Sequence, residues 1–400
     1  MTRGGFERSN VEQAMAQAPD NGGQADLHDT VACNLHGTVA CNLSIIIKSL
    51  NEEAGISRAI ESALAAAEPY DGEVIVADSG STDRTLAIAL EYPIKVVQLG
   101  RVQERRCGIG PQLGFQHCRG KYIYLLDGDM ELDAAFVGEA IELLERDPSI
   151  AGVGGIVEEK VFANVEFRNR ARHFVSRRVE HGAVVDCLTG GGLYRRSAVD
   201  AVAYFSDRNL HGFEEYDLGA RLRSKGWRLV RLEAHAVNHF SHQMGTYALL
   251  WFRLRAGRLL AIGEILRAAI DAGYLRRAMV ELRPIRFALA MWVYWPVVLL
   301  AALAGPSGIW PMASLMAAAL LPVVAMAVRT KSMNAGIYSV VVWQLTSINC
   351  LLGFIRRRVE PGRPINSVVL HGRPTDRQTD RPTDPQDKSG RCATAASGDA

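Results

Sequence analysis

Apolar positions along this chain of 400 residues fall into short runs as far as residue 245 and into long runs thereafter, while both ends are polar. The first short run, residues 43–48, is rich in isoleucine, which is typical of a strand buried in a parallel sheet. Apolar residues then recur at helical spacing over residues 56–67, and Pro69 and Gly72 end that pattern. The pattern therefore predicts a strand followed by a helix.

The same alternation continues along the next part of the chain. Residues 73–78, 94–99 and 121–126 are predicted strands, and residues 84–91 are a predicted helix. Strands that alternate with helices predict an α/β fold, with an open and mostly parallel sheet covered by helices on both faces. Because ligands of such sheets bind at the carboxyl ends of the strands, the side chains that follow these strands are the first candidates for chemistry.

Three longer apolar stretches follow, at residues 287–304, 309–328 and 336–354. A helix of about 20 residues crosses the hydrocarbon core of a membrane, and the first two stretches are long enough. Arg286 precedes this pair and Arg329 follows it, which places both flanks in the cytosol. The third stretch is more polar and three arginines follow it. Two arrangements stay open: two spans with an interfacial or re-entrant segment, or three spans.

The pattern divides the chain into five segments. The two ends are too polar to bury a core, and the stretch before the apolar runs alternates basic and apolar residues, which predicts helices along a membrane surface or ordinary packing on the domain. The predicted segments are a disordered region (1–40), a catalytic domain (41–245), amphipathic membrane-proximal helices (246–285), a membrane segment (286–358) and a disordered tail (359–400).

Charge and cysteine content narrow the class of protein. Lys and Arg number 45 against 43 Asp and Glu, a balance that argues against a nucleic-acid-binding protein. The seven cysteines show no CxxC spacing, which argues against a disulfide scaffold or a structural zinc and for a reducing compartment. The N-terminal region has no apolar core of signal-peptide length. We therefore expect a multi-pass protein of the inner, cytoplasmic membrane with its catalytic domain in the cytosol.

Two carboxylates, Asp127 and Asp129, lie on either side of Gly128 at the carboxyl end of a predicted strand. Side chains two residues apart in an extended segment point to the same side. Hard oxygen ligands in this arrangement suit Mg²⁺ or Mn²⁺ bound together with phosphates. The alternative is a solvated turn, because Asp-Gly is a common turn pair.

Acidic residues also follow the first two predicted strands. Asp78 ends the second strand, where a carboxylate can accept a hydrogen bond from a base or a ribose. Glu52 and Glu53 follow the first strand, although Glu53 has a simpler explanation as a charge at a helix start. Asp83 is best explained as the N-cap of the next helix. Acids at three strand ends are more than chance turns supply.

Taken in order, these runs resemble the family 2 glycosyltransferases of GT-A fold. The similar runs are Ser44-Ile-Ile-Ile-Lys-Ser-Leu-Asn-Glu-Glu53, Val76-Ala-Asp-Ser-Gly-Ser-Thr-Asp-Arg-Thr85, Leu126-Asp-Gly-Asp129, Leu188-Thr-Gly-Gly-Gly-Leu-Tyr-Arg-Arg196 and His211-Gly-Phe-Glu-Glu-Tyr-Asp-Leu218. The resemblance implies an open, mostly parallel GT-A-type sheet. It also implies inverting transfer of a sugar from a nucleotide-sugar, with a UDP-sugar expected, to a hydroxyl of a lipid, lipid-linked or glycan acceptor.

The resemblance further implies roles for single residues. The implied roles are base catalysis (Glu215), donor-nucleotide binding (Glu52, Asp78, Arg106, Asp127), binding of Mn²⁺ or Mg²⁺ (Asp127, Asp129, His239) and the acceptor or sugar region (Gly191, Gly192, Glu214, Asp217). The family usually has Asp where this chain has Glu215, which leaves Glu214 and Glu215 as alternatives for the base. The alternative for Asp217 is a structural role, and the alternative for the glycines is a plain tight turn.

Two other function classes stay in consideration. A nucleotidyltransferase that forms sugar nucleotides needs a Gly-rich basic loop after the first strand, and this chain has an acidic loop there, residues 51–53. A non-catalytic membrane scaffold on the same fold is expected to lose the acids, which are intact here. No Gln-x-x-Arg-Trp run follows Glu215, which favours addition of single sugars. The expected partners are a nucleotide-sugar, a lipid or glycan acceptor and the membrane, without nucleic acid.

Overall fold

The computed structural model describes residues 42–161, 182–240 and 245–371, so the predicted disordered segment 1–40 lies outside the described residues. The strands in these ranges are β1 (Leu43–Ser49), β2 (Glu73–Asp78), β3 (Lys95–Leu99), β4 (Tyr122–Asp127), β5 (Met130–Leu132), β6 (Ile150–Glu159), β7 (Ala183–Val184), β8 (Gly192–Arg195), β9 (Arg228–His239) and β10 (Ser367–His371). The helices are α1 (Ile56–Ala67), α2 (Thr85–Ala89), α3 (Ile109–His117), α4 (Ala134–Arg146), α5 (Arg196–Asp200), α6 (Glu214–Ser224), α7 (Thr246–Arg255), α8 (Ala261–Asp271), α9 (Leu275–Glu281), α10 (Arg283–Ala304), α11 (Trp310–Thr330) and α12 (Met333–Ile355).

These strands form one mixed sheet in the order β10-β3-β2-β1-β4-β8-β6-β9-β5, with β7 paired to β9. The strands β1 to β4 are parallel, with β2 and β3 on one side of β1 and β4 on the other. Beyond β4 the sheet becomes mixed, because β8 runs antiparallel to both β4 and β6. The strand order therefore reverses between β1 and β4, which is where an open α/β sheet binds its ligands.

The first strand shows how the sheet is covered. Ile45 and Ile47 belong to the apolar core that contains residues of α1 and α4, whereas Ile46 belongs to the core that contains residues of α3 and α6. Successive side chains of a strand point to opposite faces, and all three isoleucines are fully buried. Helices therefore cover both faces, which confirms the predicted α/β fold with flanking helices.

Three helices at the C-terminal side correspond to the predicted apolar stretches. The helices α10, α11 and α12 have 22, 21 and 23 residues, mean hydropathies of 2.0, 2.0 and 1.5, and the length to cross a membrane. Large apolar side chains such as Leu303, Met312 and Leu321 are mostly exposed on them. Exposed apolar surface of this extent is expected of helices that meet lipid.

The predicted membrane-proximal helices divide into two kinds. The helix α8 packs on the catalytic domain, since Ile265 and Ala269 share an apolar cluster with Leu210 and Tyr216. Ordinary packing on the domain, one of the two expectations, thus describes α8. The helix α7 keeps apolar surface, because its side chain Trp251 is 56% exposed.

Residues 356–371 return to the catalytic sheet. The guanidinium of Arg358 lies 2.5 Å from Asp207 Oδ2, and Asn209 exchanges hydrogen bonds with the backbone of Val359. The strand β10 then pairs antiparallel with the edge strand β3. The prediction of a disordered tail from residue 359 is therefore wrong for residues 359–371. The prediction failed because the apolar run in these residues is short and polar residues flank it. Residues 372–400 lie outside the described residues.

Candidate functional site

The site forms where the carboxyl ends of β1 and β4 meet. Lys48 on β1 is the register partner of Asp127 on β4, and its backbone carbonyl accepts a hydrogen bond from Gly128 N at 3.0 Å. The ammonium of Lys48 lies 3.0 Å from Asp127 Oδ1 and 3.5 Å from Glu214 Oε1 at the start of α6. The strand ends and α6 therefore meet around one lysine.

The loops that follow β1 and β2 are joined by reciprocal hydrogen bonds. Asn51 Oδ1 accepts from Thr82 N at 2.8 Å, and Glu53 Oε2 accepts from Arg84 N at 3.1 Å. In return Asp83 Oδ2 accepts from Glu53 N, while its other oxygen accepts from Thr85 N at the start of α2. Asp83 lies one residue before the N-cap of α2, Arg84, so the expectation that Asp83 is itself the N-cap is wrong by one residue, although its carboxylate accepts from Thr85 N. Glu53 also serves the start of α2 rather than that of its own helix.

Asp78 organises the turn after β2. Its carboxylate is fully buried and accepts hydrogen bonds from the backbone N–H groups of Gly80 and Ser81, each at 3.0 Å. Gln98 Nε2 also lies 3.3 Å from Asp78 Oδ2. Arg105 clamps the same turn, because its guanidinium donates to the carbonyls of Ser79 and Gly80 at 2.9 and 2.6 Å. The loop expected to hold the nucleotide is therefore held by hydrogen bonds to Asp78 and Arg105.

The acidic pair after β4 lies in a turn that leads into β5. Asp127 is the last residue of β4, and the next strand begins directly after Asp129. A Cβ at Gly128 would lie 2.9 Å from Glu52 Cγ, so only glycine lets Glu52 approach the pair this closely. Burial and the neighbouring Asp129 raise the pKa of Asp127, although Lys48 opposes the shift. Asp127 and Asp129 thus lie in a turn and are also close enough to interact electrostatically.

His239, at the end of β9, joins this pair. Its Nε2 lies 3.2 Å from Asp129 Oδ2, and its Nδ1 lies 2.9 Å from Glu159 Oε2 at the end of β6. Burial lowers the pKa of His239, but the hydrogen bonds to both carboxylates raise it to about 10. A histidine whose second nitrogen is held by a carboxylate is the usual arrangement around a bound metal. The contact with Glu159 therefore fits a metal-ligand role for His239.

The chemistry of these donors fits a divalent cation. Asp127 and Asp129 supply hard carboxylate oxygens and His239 supplies an imidazole nitrogen, a set that suits Mn²⁺ and accommodates Mg²⁺. Within residues 42–161, 182–240 and 245–371, no three His, Cys, Asp or Glu side chains already stand at coordinating geometry.

The helix α6 begins with the other acidic pair. Phe213 adopts a left-handed conformation (φ 65°) before the first helical residue, Glu214. Glu215 is partly buried, and burial raises its pKa to about 7, against the opposing charge of Lys48 and together with Glu214. A carboxylate with a pKa near neutrality is suited to accept and release a proton. Because Lys48 forms an ion pair with Glu214, Glu215 is the better placed of the two to act as a base.

The predicted glycine run forms the opposite wall. The backbone N–H of Gly190 donates a hydrogen bond to Glu215. Gly191 has φ +92°, and a Cβ there would lie 2.3 Å from the carbonyl oxygen of Leu125. Gly192 pairs with Leu125 at the start of β8. The run is therefore a tight turn that touches both β4 and Glu215, with glycine required at its centre.

Two predicted site residues lie elsewhere. Asp217 is fully buried and pairs with Arg221 at 2.8 Å and Tyr274 OH at 2.5 Å, so its placement in the acceptor region is wrong and the structural alternative holds. The Arg106 guanidinium donates a hydrogen bond to the Glu104 carbonyl. Burial and the charge of Arg356 lower the pKa of Arg106. Arg105, rather than Arg106, contacts the loop of Asp78, through the carbonyls of Ser79 and Gly80.

The sequence prediction missed Lys48 and Glu159. Lys48 is a charged residue inside an otherwise apolar strand, and such a residue signals a buried partner of opposite charge. Glu159 lies in β6 at the register position of His239, a long-range pairing that no local pattern shows.

Residues 44–203 match the sequence model of the family described as "Glycosyl transferase family 2". The chain is 32% identical over 154 residues to the low-salt glycan biosynthesis hexosyltransferase Agl6 of Haloferax volcanii, covering 37% of this chain and 36% of that protein. It is 31% identical over 112 residues to the dodecaprenyl-phosphate galacturonate synthase of Rhizobium johnstonii, covering 26% and 32%.

The match thus spans about a third of the length of these relatives. Among solved structures, a mannosyltransferase from Pyrobaculum calidifontis in complex with GDP-Man and Mn²⁺ is similar, with 17% identity and a TM-score of 0.49. That similarity covers 78% of this chain and 88% of the other.

Proposed function

We propose, from the premise that residues 44–203 form a family 2 glycosyltransferase domain, that this chain is a membrane-attached hexosyltransferase. It moves a sugar from a nucleotide-sugar, with a UDP-sugar favoured, to a hydroxyl of a lipid, lipid-linked or glycan acceptor, with inversion at the anomeric carbon. The observation that carries this proposal is the meeting of two carboxylate groups around Lys48. One group, Asp127 and Asp129, follows β4, and the other, Glu214 and Glu215, starts α6.

The donor half of the proposed mechanism lies at the strand ends. Asp78 and Glu52 are proposed to border the nucleoside, where hydrogen bonds hold the turn after β2. Asp127, Asp129 and His239 would hold Mn²⁺ or Mg²⁺, which neutralises the charge of a departing nucleoside diphosphate. Glu159 fixes the orientation of His239 through the 2.9 Å contact.

The acceptor half lies at the start of α6. Glu215 is proposed to take the proton of the acceptor hydroxyl, so that the oxygen attacks the anomeric carbon from the face opposite the leaving group. Its pKa of about 7 places the proton-accepting form within reach near neutral pH. Direct displacement from the opposite face yields an inverted product. Glu214, held by Lys48, is proposed to border the acceptor without accepting the proton.

The relatives suggest the class of acceptor. One is named for glycan biosynthesis and the other for a dodecaprenyl-phosphate product. We call α10, α11 and α12 the membrane-type helices. In this chain the helix α6 packs near the start of the first of them, since Leu210, Tyr216 of α6 and Ile285 of α10 share one apolar cluster. We therefore propose that the acceptor reaches Glu215 from the membrane side of the domain.

The path of the chain constrains the membrane arrangement that we propose. The first membrane-type helix starts beside the catalytic domain, and Arg356, just after the last one, lies 3.3 Å from Glu264 of α8. Because β10 then joins the catalytic sheet, both ends of the membrane segment lie on one side. An even number of crossings follows. This favours two spans, by α10 and α11, over three.

The close packing of α12 on the domain agrees with this arrangement. A Cβ at Gly353 would lie 2.1 Å from the carbonyl oxygen of Leu260, and one at Gly263 would lie 1.9 Å from that of Cys350. Near the other end of α12, Tyr247 OH donates to Asn334 Oδ1 at 2.5 Å. We propose that α12 lies at the interface against α7 and α8, with the domain in the cytosol.

The experiment that tests the function is a donor screen on the full chain in detergent or nanodiscs. UDP- and GDP-sugars are assayed for hydrolysis and for thermal stabilisation, with Mn²⁺, with Mg²⁺ and with EDTA. We expect one donor to be bound and slowly hydrolysed only when a divalent cation is present. A chain that binds no nucleotide-sugar under any of these conditions contradicts the proposed function. Formation of a sugar nucleotide from a sugar phosphate and UTP would instead indicate a nucleotidyltransferase.

A further inference from the structure

The charged side chain of Lys48 is enclosed by carboxylates from two parts of the site. It lies 3.0 Å from Asp127 on the donor side and 3.5 Å from Glu214 on the acceptor side, and its side chain is 19% exposed. A lysine side chain is positively charged near neutral pH, and carboxylates on both sides of Lys48 favour that charged form.

Its position in the fold is fixed as firmly as any in the sheet. The neighbours Ile46 and Ile47 are fully buried, and the backbone of Lys48 pairs with Ala77 on one side and Asp127 on the other. A Cβ at Gly110 of α3 would lie 3.1 Å from Lys48 Cβ, so the helix above leaves the lysine stem little room. The ammonium lies in the gap between Asp127 and Glu214.

We propose that Lys48 is a positioning residue that holds the acceptor-side acids in register with the donor site, acting through Glu214. Like charges gathered at one end of a sheet repel one another. A cation between them offsets that repulsion, and its two ion pairs tie the start of α6 to the end of β4. The inference rests on the proposed function and deepens it, because it adds a residue that links the two halves.

A different role for the same lysine makes a different prediction. If Lys48 contacted the diphosphate of the donor directly, its loss would weaken nucleotide binding. A positioning role through Glu214 leaves nucleotide binding intact, because removing a cation beside Asp127 does not diminish the attraction of that carboxylate for a divalent metal. Misplacement of a catalytic group by about 1 Å lowers turnover by about 10²-fold. The two roles therefore separate in binding and in turnover.

The test uses Lys48→Met, which keeps the length of the side chain and removes its charge. Affinity for UDP and for GDP with Mn²⁺ is measured by calorimetry, and kcat and KM are measured with the donor that the wild-type chain hydrolyses. We expect kcat to fall by about 10²-fold, while the affinity for nucleotide and Mn²⁺ is unchanged or tighter. Lys48→Arg keeps the charge and is expected to recover part of kcat.

A double-mutant cycle identifies the partner through which Lys48 acts. Glu214→Gln and Lys48→Met are each expected to lower kcat, and the combined variant is expected to be no slower than Lys48→Met alone within about twofold, because residues that act as a unit are not additive. Lys95→Met is the matched control. Lys95 is also a partly buried strand lysine, paired with Glu73 at 3.2 Å, but it starts β3 at the opposite end of the sheet. Its loss is expected to lower the melting temperature without changing kcat.

Several results overturn the inference. These are an unchanged kcat in Lys48→Met, additive effects in the cycle, or nucleotide affinity that falls tenfold or more while kcat at saturation persists. If Lys48→Met does not fold, Lys48→Gln, which also removes the charge, takes its place in the cycle, and an unchanged kcat in that variant gives the same negative answer. Failure of the proposed function itself looks different, because the wild-type chain then neither binds UDP or GDP with Mn²⁺ nor turns over any donor.

Discussion

The proposed donor side and the proposed acceptor side of the site are held in place by different means. On the proposed donor side, the residues follow strands whose register is set by backbone hydrogen bonds. The Asp78 carboxylate also accepts hydrogen bonds from backbone N–H groups of its own turn. On the acceptor side, α6 is held by side chains from distant parts of the chain. Tyr274 OH donates a hydrogen bond to Asp217 at 2.5 Å, and the Glu281 carboxylate accepts hydrogen bonds from Tyr216 and Arg223.

The proposed acceptor side is therefore expected to be the more sensitive of the two to changes beside the membrane. The residues on the proposed donor side follow β1, β2 and β4, whereas α6 depends on contacts from α9 and from the loop before it, next to the membrane-type helices. The C-terminal segment adds to this, since Arg356 lies within 3.4 Å of the ring of His211, three residues before Glu214. We infer that changes beside the membrane alter acceptor chemistry and leave donor binding intact.

The largest effect is expected from Glu215→Gln. Glutamine keeps the size of the side chain but cannot accept the proton of the acceptor, and general base catalysis is worth about 10²–10⁴-fold. We expect turnover to fall by that factor, with nucleotide affinity and melting temperature nearly unchanged. Calorimetry and a transfer assay on the same preparation check both parts. Glu214→Gln is the matched comparison, and a larger loss there than in Glu215→Gln moves the base by one residue.

The next effect concerns the donor side alone. Asp129→Asn removes a charged oxygen donor and one of the two carboxylates that hold His239. We expect the Mn²⁺-dependent affinity for UDP to fall by about 10–100-fold, the range seen when residues that support a metal are changed. The affinity measured in EDTA should not change. Equal binding by wild type and variant across an Mn²⁺ titration would falsify the assignment of this carboxylate to the metal site.

A third effect is the dependence of turnover on pH. The pKa of Glu215 is raised to about 7 by burial and by Glu214, with Lys48 opposing, so the proton-accepting form grows as the pH rises through about 7. Below that value turnover is expected to fall about tenfold per pH unit. The folded chain binds this proton more tightly than the unfolded chain does. Its contribution to stability is therefore present below the unfolded pKa and is lost as the pH rises through about 7.

Glu215→Gln supplies the control for this behaviour. The variant should lose the acidic limb of the pH–rate profile, and its melting temperature should fall less than that of the wild type between pH 5 and pH 8. A wild-type profile that is flat from pH 6 to pH 8 contradicts the role of Glu215 in the rate-limiting step.

The two sides also differ in how well the sequence predicts them. The strands around the donor site were placed within a residue or so, because buried runs such as residues 73–78 carry their own pattern and acids at their ends follow directly. The positions of Asp127 and Asp129 therefore follow from local sequence. Glu159 and Lys48 were missed because their partners lie 80 residues away or more, or on another strand.

The errors have similar physical causes. Asp217 was placed among acceptor residues because it stands two positions from Glu215, but helical spacing turns it towards Arg221 and Tyr274 in the interior. The strand at residues 367–371 was missed because an edge strand of five residues depends on the exposed ladder of β3, which its own composition does not show.

The smallest effect is expected from Glu281→Gln, which tests the membrane-side support of α6. The Glu281 carboxylate is 19% exposed, accepts from Tyr216 at 2.8 Å and forms two contacts with Arg223 at 2.9 and 2.7 Å. Burial raises the pKa of Glu281, but the hydrogen bonds from Arg223 and Tyr216 outweigh it and hold that pKa below its usual range. Hydrogen bonds to charged groups contribute about 1.5–3 kcal/mol, and glutamine keeps part of that contribution.

We therefore expect Glu281→Gln to lower the melting temperature by a few degrees and kcat by a few-fold, with nucleotide affinity within error of the wild type. Glu142→Gln is the matched control, because Glu142 also pairs with an arginine but is 70% exposed on α4, and a surface pair contributes little. If Glu281→Gln weakens binding of UDP with Mn²⁺ as much as it slows turnover, the two sides are not separately supported. If it changes neither quantity while the melting temperature falls, the contact stabilises the fold without positioning α6.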